Sequence, residues 1–208
     1  MLSEASKPFS KHSKMDSFFD NNTFVIDENI GAFKISNAYK VYNKDGEEMG
    51  AIQEHKSLGR ILLGLFLSDR MLPFELNILN ADGKRVAQLK RGITFFTSKV
   101  HIFDESGASI GSFNQKFTLM KPKFILRDNI GTEIATIKGD WKAWNFEIVD
   151  VNGLKIGSID KKWNGIAKEL FTTADKYIVT MEPTVKDERQ RIAIASVAAA
   201  IDMILKED

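Results

Sequence analysis

The chain has 208 residues, 43% of them hydrophobic and 27% charged, with a formal net charge of +1 and no cysteine. That length and apolar content suit one globular domain with a sizeable core, and the near-neutral balance supplies no global attraction to nucleic acid or to an anionic bilayer. Without cysteine, disulfides, thiolate metal sites, cysteine nucleophiles and S-palmitoylation are excluded.

The first residues, MLSEASKPFSKHSK, are polar and lack an apolar h-region. They predict a flexible tail over 1–16, a single domain over 17–208 and a cytoplasmic chain. TFVIDE at 23–28, a turn at Asn29-Ile30-Gly31 and the short run AFKI predict an opening hairpin.

A repeat then occurs five times: YKVYNKDGEEMGAIQE (39–54), FELNILNADGKRVAQL (74–89), VHIFDESGASIGSF (100–113), FILRDNIGTEIATI (124–137) and FEIVDVNGLKIGSI (146–159). Each is a strand, a turn and a returning strand. The turn carries Gly46, Gly83, Gly107, Gly131 or Gly153, with Asn43, Asn80, Asp104, Asp128 or Asp150 three residues earlier. Glycine supplies a positive φ and Asn or Asp bonds the turn backbone, so this is hairpin chemistry. Four residues after each turn glycine comes Gly50, Ala87, Gly111, Ala135 or Gly157, and two further on Ile52, Leu89, Phe113, Ile137 or Ile159. Alternation places each small-large pair on one inner face and leaves room there for something bulky. The outer face turns polar, as in Val86, Gln88 and Lys90, and faces water rather than lipid.

Between the first two hairpins lies SLGRILLGLFLSDRMLP (57–73), a helical stretch with Ile61, Leu62, Leu65 and Phe66 in its apolar run. It reads first as a helix plugging one barrel mouth. The functional alternative is an exposed apolar surface, flanked by Lys56, Arg60 and Arg70, that dips into a bilayer interface or meets a partner.

The chain ends in IAIASVAAAIDMIL (192–205), where Ile192, Ile194, Val197, Ile201 and Leu205 are spread around the helical wheel. Its fourteen residues would span roughly 21 Å, short of the ~30 Å hydrocarbon layer. Ten repeat strands and the opening hairpin make twelve, and YIVTME (177–182) is a further candidate, so about twelve strands are expected. A sheet of that size tends to close, and a barrel that wide needs a filling. The expected fold is mainly β, a closed antiparallel barrel of about twelve strands enclosing the hydrophobic C-terminal helix. The alternative is a two-sheet sandwich with the helix outside. Asp202 then requires a partner, access to the barrel mouth or protonation, and a structural pair near the open end is favoured.

The segment IGSIDKKWNGIAKELFTTADKYIVTMEP (156–183) combines Trp163-x-Gly165, Glu169-x-Phe171, Ala174-Asp175 before Tyr177, a proline and a helix containing Ile201-Asp202. With NAYKVYNKDGEEMGAIQE and KPKFILRDN upstream, this resembles the phospholipid scramblase family over roughly 18–208. The resemblance implies the Tubby-like fold shared with plant LURP-one-related proteins, a barrel of twelve strands around a C-terminal helix. It also implies an association with calcium-dependent movement of phospholipids between leaflets. Two departures stand out. The family's calcium segment corresponds here to TADKYIVTMEPTVKD (173–187), whose only carboxylates are Asp175, Glu182 and Asp187, interleaved with Lys176 and Lys186. That set falls short of the oxygen shell calcium needs. The family's cysteine-rich palmitoylation segment falls near RGITFFTSK (91–99), which has no cysteine.

His12, His55 and His101 show no ligand spacing, and no phosphate loop, nucleophile elbow or zinc motif is present. Trp141, Trp144 and Trp163 read as barrel-wall packing. The expectation is a non-enzymatic, scramblase-like phospholipid-binding protein without cofactor or functional calcium site, cytoplasmic and peripheral at the inner membrane face. Its contacts would be Arg60, Ile61, Leu62, Leu65, Phe66 and Arg70. The alternative is a soluble module that binds a protein or a small hydrophobic ligand. Nucleic acid is not an expected partner.

Overall fold

The computed structural model describes residues 17–28, 38–116, 123–140, 144–161 and 176–205. Ten strands come from the five repeats: β2 (Ala38–Tyr42), β3 (Glu48–Glu54), β4 (Phe74–Asn80), β5 (Arg85–Arg91), β6 (Lys99–Asp104), β7 (Ser109–Lys116), β8 (Lys123–Asp128), β9 (Glu133–Asp140), β10 (Asn145–Asp150) and β11 (Lys155–Asp160). They are flanked by β1 (Thr23–Glu28) and β12 (Lys176–Met181), and two helices, α1 (Leu58–Leu63) and α2 (Glu188–Leu205), follow β3 and β12. Each strand pairs antiparallel with its sequence neighbours, and β1 pairs with β12, so the sheet closes with twelve strands. Closure excludes the two-sheet sandwich. The run AFKI lies outside the described residues, and the twelve strands are reached through β1 and β12 on either side of the repeats.

The five turns obey one local rule. In each, the Oδ1 of Asn43, Asn80, Asp104, Asp128 or Asp150 accepts two backbone N–H groups at 2.8–3.1 Å. The turn glycines take φ between 75° and 92°, where a side chain would be strained. All five turns therefore sit at one end of the barrel, and the longer connections sit at the other.

At Gly50 and Gly111 the small residue has a cause other than room in the lumen. A Cβ on Gly111 would collide with the carbonyl oxygen of Arg127 on the adjoining β8, rather than with anything in the lumen. Register shifts at Ile78/Leu79, Ile102/Phe103 and Leu126/Arg127 bulge the first strand of a hairpin beside its turn, and a small residue on the neighbouring strand accommodates that bulge. The large partners Ile52, Leu89, Phe113, Ile137 and Ile159 do point inward and are buried.

Helix α2 fills the lumen. Every residue from Ile192 to Ile204 is buried, including the small Ala198, Ala199 and Ala200 that let strands approach, and Leu205 at the end is partly buried against the core. The helix begins earlier than its apolar run because Asp187 caps it, accepting the Gln190 N–H at 2.8 Å. Two polar residues inside the helix are satisfied. Ser196 Oγ donates to the Ile192 carbonyl at 2.6 Å. Asp202, fully buried, accepts from Tyr39 Oη at 2.6 Å and Tyr177 Oη at 2.5 Å. Tyr177 in turn stacks on Trp144 with ring centroids 4.3 Å apart, so Trp144 packs in the wall as expected, while Trp141 and Trp163 lie outside the described residues.

The mouth at the tight-turn end is closed by a 3-10 turn at Ser17–Asp20, whose Phe18 and Phe19 are buried beside Phe24. Arg191, in the first turns of α2, fastens it: Nε donates to the Phe19 carbonyl at 2.7 Å, Nη2 to the Asn21 carbonyl at 2.8 Å and Nη1 to the Val185 carbonyl at 2.9 Å. The plug expected of residues 57–73 is therefore supplied by a different segment at the opposite end.

Replacing Ala198 with Leu overpacks this lumen, with an expected loss of ~1–3 kcal/mol measured by denaturant unfolding. An unchanged midpoint contradicts a tightly enclosed helix. A second expectation concerns Glu188. Burial first, then the neighbouring Asp20, Asp187 and Glu105, push its carboxyl above the usual glutamate range. A group whose folded pKa is raised holds its proton more tightly in the folded state, so its ionisation opposes folding above the folded value and not below the unfolded one. Glu188→Gln should raise Tm at neutral pH, and the gain should vanish as pH falls below the ordinary glutamate range.

Candidate functional site

The end of the barrel opposite the tight turns carries the connection β3–β4 (residues 55–73) and the connection β5–β6 (residues 92–98). In the first, Ser57 starts α1 by accepting the Arg60 N–H on Oγ at 3.2 Å, and Gly64 ends it with its N–H on the Arg60 carbonyl at 3.0 Å. The helix is one short stretch rather than the continuous helix its apolar run suggests, and a 3-10 turn at Asp69–Met71 leads into Pro73 and β4.

One ion pair orients α1. The side chain of Glu54, at the end of β3, is fully buried, and its Oε1 accepts from Arg60 Nη1 at 2.6 Å while Lys56 Nζ stands 3.8 Å from Oε2. Arg60 is thereby turned inward, with 13% of its side chain exposed. Leu58 and Leu62 lie opposite Arg60 on the helical wheel and Ile61 to its side, and all three are exposed. Nothing of α1 is buried, and Leu65 and Phe66 beyond it are also exposed, Phe66 at 86%. This segment does not enter the lumen, contrary to the plugging helix expected first. Arg70 lies exposed in the following turn.

The second connection was not singled out from sequence as a contact surface. Thr94 folds it, with Oγ1 donating to the Thr97 carbonyl at 2.7 Å and its N–H donating to the Met71 carbonyl at 3.2 Å. Ile93, Phe95 and Phe96 are left outside, Phe96 at 96% exposure. A signal was present in the adjacent Phe95-Phe96 within a short loop, since two successive side chains there cannot both turn into a core. The Thr94 to Met71 bond joins the two connections at one end of the barrel.

Arg91 lies beneath that junction, 3% exposed. Its Nη2 donates to the Leu72 carbonyl and its Nη1 to Ser98 Oγ, at 2.5 and 3.2 Å, and the guanidinium stands 4.6 Å above the Phe74 ring. Beside it is a cavity of 340 Å³, reached also by Ile204 from the last turn of α2.

Two of the three carboxylates of the segment 173–187 are described. Glu182 is exposed after β12, Asp187 is the cap of α2, and Asp175 lies outside the described residues. Among the described residues no three of His, Cys, Asp and Glu are placed to hold a metal ion. His55 and His101 are exposed and stand on different strands or connections, and His12 lies outside the described residues. Among the described residues, too, no helix is long and apolar enough to cross a membrane.

Residues 18–207 match the family model described as Scramblase. The chain is 24% identical over 195 residues to a phospholipid scramblase family protein of Schizosaccharomyces pombe, covering 84% of this chain and 51% of that one. It is 23% identical over 210 residues to phospholipid scramblase 1 of Homo sapiens, covering 94% of this chain and 64% of that protein. The chain thus spans about half to two thirds of the length of these curated relatives. Among solved structures it resembles a protein from Arabidopsis thaliana with a TM-score of 0.50 and 10% identity, covering 92% of this chain and 96% of that one. At that identity the likeness shows the shared Tubby-like fold alone.

Glu54→Ala removes the acceptor that holds Arg60 inward. The expected loss is about 3 kcal/mol, the low end for stripping one partner from a buried pair, since Arg60 keeps some contact with water. Amide exchange over 57–67 should accelerate more than exchange in β6 and β7. Equal acceleration everywhere contradicts a local role for the pair.

Proposed function

The chain belongs to the scramblase family, and on that footing we propose that it is a phospholipid-binding protein that works at membrane surfaces through the long-connection end of its barrel. The observation that carries the reading is the joined exposure of Ile61, Leu62, Leu65 and Phe66 with Ile93, Phe95 and Phe96 at that end. Single exposed apolar residues are ordinary, but seven of them on two hydrogen-bonded loops suit a contact surface. Charge favours a lipid surface as the partner. The stretches 54–73 and 91–99 carry Lys56, Arg60, Arg70, Arg91 and Lys99 against Glu54 and Asp69, and of these cations Lys56, Arg70 and Lys99 are exposed. Aromatic and aliphatic side chains beside cations suit the boundary between head groups and acyl chains.

The mode of action follows from what is enclosed. With α2 buried in the lumen, the helix is not offered to lipid, so any disturbance of leaflet order would come from shallow insertion of the two loops. Binding of this kind needs no calcium site. It is peripheral, and we place it at the cytoplasmic face.

Purified protein should float with phosphatidylcholine vesicles containing an anionic lipid, and more weakly with phosphatidylcholine alone. Leu65→Ser with Phe66→Ser, and separately Phe95→Ser with Phe96→Ser, should each weaken partitioning about tenfold or more, because each removes two side chains worth ~1.5–3 kcal/mol when fully buried. All four positions are exposed, so Tm should stay within a few degrees. A parent protein that ignores every vesicle would leave the soluble-module alternative as the better reading. Dithionite quenching of labelled lipid in the same vesicles separates binding from scrambling.

A further inference from the structure

The 340 Å³ cavity between the two connections is divided by chemistry. Its inner part holds Arg91 and Ser98, 3% and 5% exposed, next to the half-buried Gln115 of β7. Its mouth holds the exposed Phe95, Phe96 and Arg70. Among the described residues that line it are two arginines and no aspartate or glutamate. A polar, cationic floor under an aromatic rim suits an amphiphile whose anionic end enters first.

The donors are held in place before any ligand arrives. The Arg91 fork is fixed by the Leu72 carbonyl, by Ser98 Oγ and by the Phe74 ring. Ser98 Oγ accepts from Arg91 and so keeps its hydroxyl hydrogen to donate, and Gln115 Oε1 accepts the Ser98 N–H at 3.2 Å, which points its amide group to the same region. Guanidinium groups with neutral donors are the usual recognition set for phosphate. The volume lies at the lower end of the ~300–1,000 Å³ typical of small-molecule pockets, larger than a bare phosphate needs and small for a whole lipid.

We propose that this cavity takes the phosphomonoester head group of an anionic phospholipid, as in phosphatidic acid. Arg91 and Arg70 meet the phosphate oxygens, Ser98 and Gln115 add neutral donors, and Phe95 and Phe96 lie against the glycerol and the first acyl methylenes. Head groups that end in an ammonium, those of choline, ethanolamine and serine lipids, find no carboxylate in the described wall. The inference rests on the membrane-surface reading above and adds to it a choice among lipids.

The test compares parent protein on vesicles of phosphatidylcholine with phosphatidic acid, or with phosphatidylserine at matched surface charge. The expected preference for phosphatidic acid is at least about fivefold. Arg91→Lys, which keeps the charge but loses the fork, and Arg70→Gln, at an exposed position, should each bring the ratio towards one. Should Arg91→Lys fail to fold, Arg70→Gln carries the test alone. Equal binding to both charge-matched vesicles overturns this inference and leaves the membrane-surface reading standing. Absence of binding to any vesicle overturns both. Inorganic phosphate that displaces the protein from phosphatidic acid vesicles at concentrations matching the lipid phosphate reassigns the cavity to free phosphate and overturns the lipid assignment.

Discussion

A helix without a polar side has to be surrounded, and that requirement organises the molecule. Residues Ile192 to Ile204 are buried on every side of α2, which two packed layers cannot achieve and a closed wall can. Twelve strands make a wall wide enough for one helix, provided its side chains are small where strands come close. The alanines at 198–200 meet that condition. The core therefore depends on a match of diameters, and either a bulkier helix or a narrower sheet would break it.

Enclosure makes polar groups inside the lumen expensive, and the two that α2 carries are both met. Ser196 bonds back to its own helix, whereas Asp202 draws one tyrosine from β2 and another from β12. Strand β1 lies between these two strands and joins them, so the Asp202 bonds span the closure of the sheet. The same carboxyl would be costly in hydrocarbon, and here it ties helix, first repeat and last strand together. The mouth near Arg191 is handled alike, with one guanidinium shared among backbone carbonyls that the strands leave over.

The regular parts of this design were legible in the sequence because each rests on a short-range rule. The Asn or Asp to Gly spacing specifies a turn by local bonding, and five repetitions of it, with an apolar terminal helix, lead to strand count and closure. The small residues Gly50 and Gly111 were legible as part of a pattern but not as to cause, because the bulge each accommodates belongs to a neighbouring strand. The orientation of 57–73 was hidden for a related reason. Ile61, Leu62, Leu65 and Phe66 look like core residues in one dimension, and only the buried Glu54, distant in its role though near in sequence, turns Arg60 inward and those side chains outward. Residues 92–98 form a short loop that breaks the repeat. Its partnership with 68–72 is a tertiary contact, and no local pattern announces it.

The two ends of the barrel thus follow opposite logic. Where the strands turn tightly, each polar backbone group is satisfied within a few residues, and Phe18 and Phe19 seal the lumen from inside. Where the connections are long, apolar side chains are turned away from the core, at the end where α2 finishes. A core already filled by a rigid helix does not need them, and their exposure in water is unfavourable by the same area rule that built the core. On the proposed reading the imbalance is resolved only at a lipid surface, where Phe66 and Phe96 gain the environment that the filled lumen denies them. The enclosed helix makes that possible: because α2 completes the core without these loops, they can leave water without any change in the barrel.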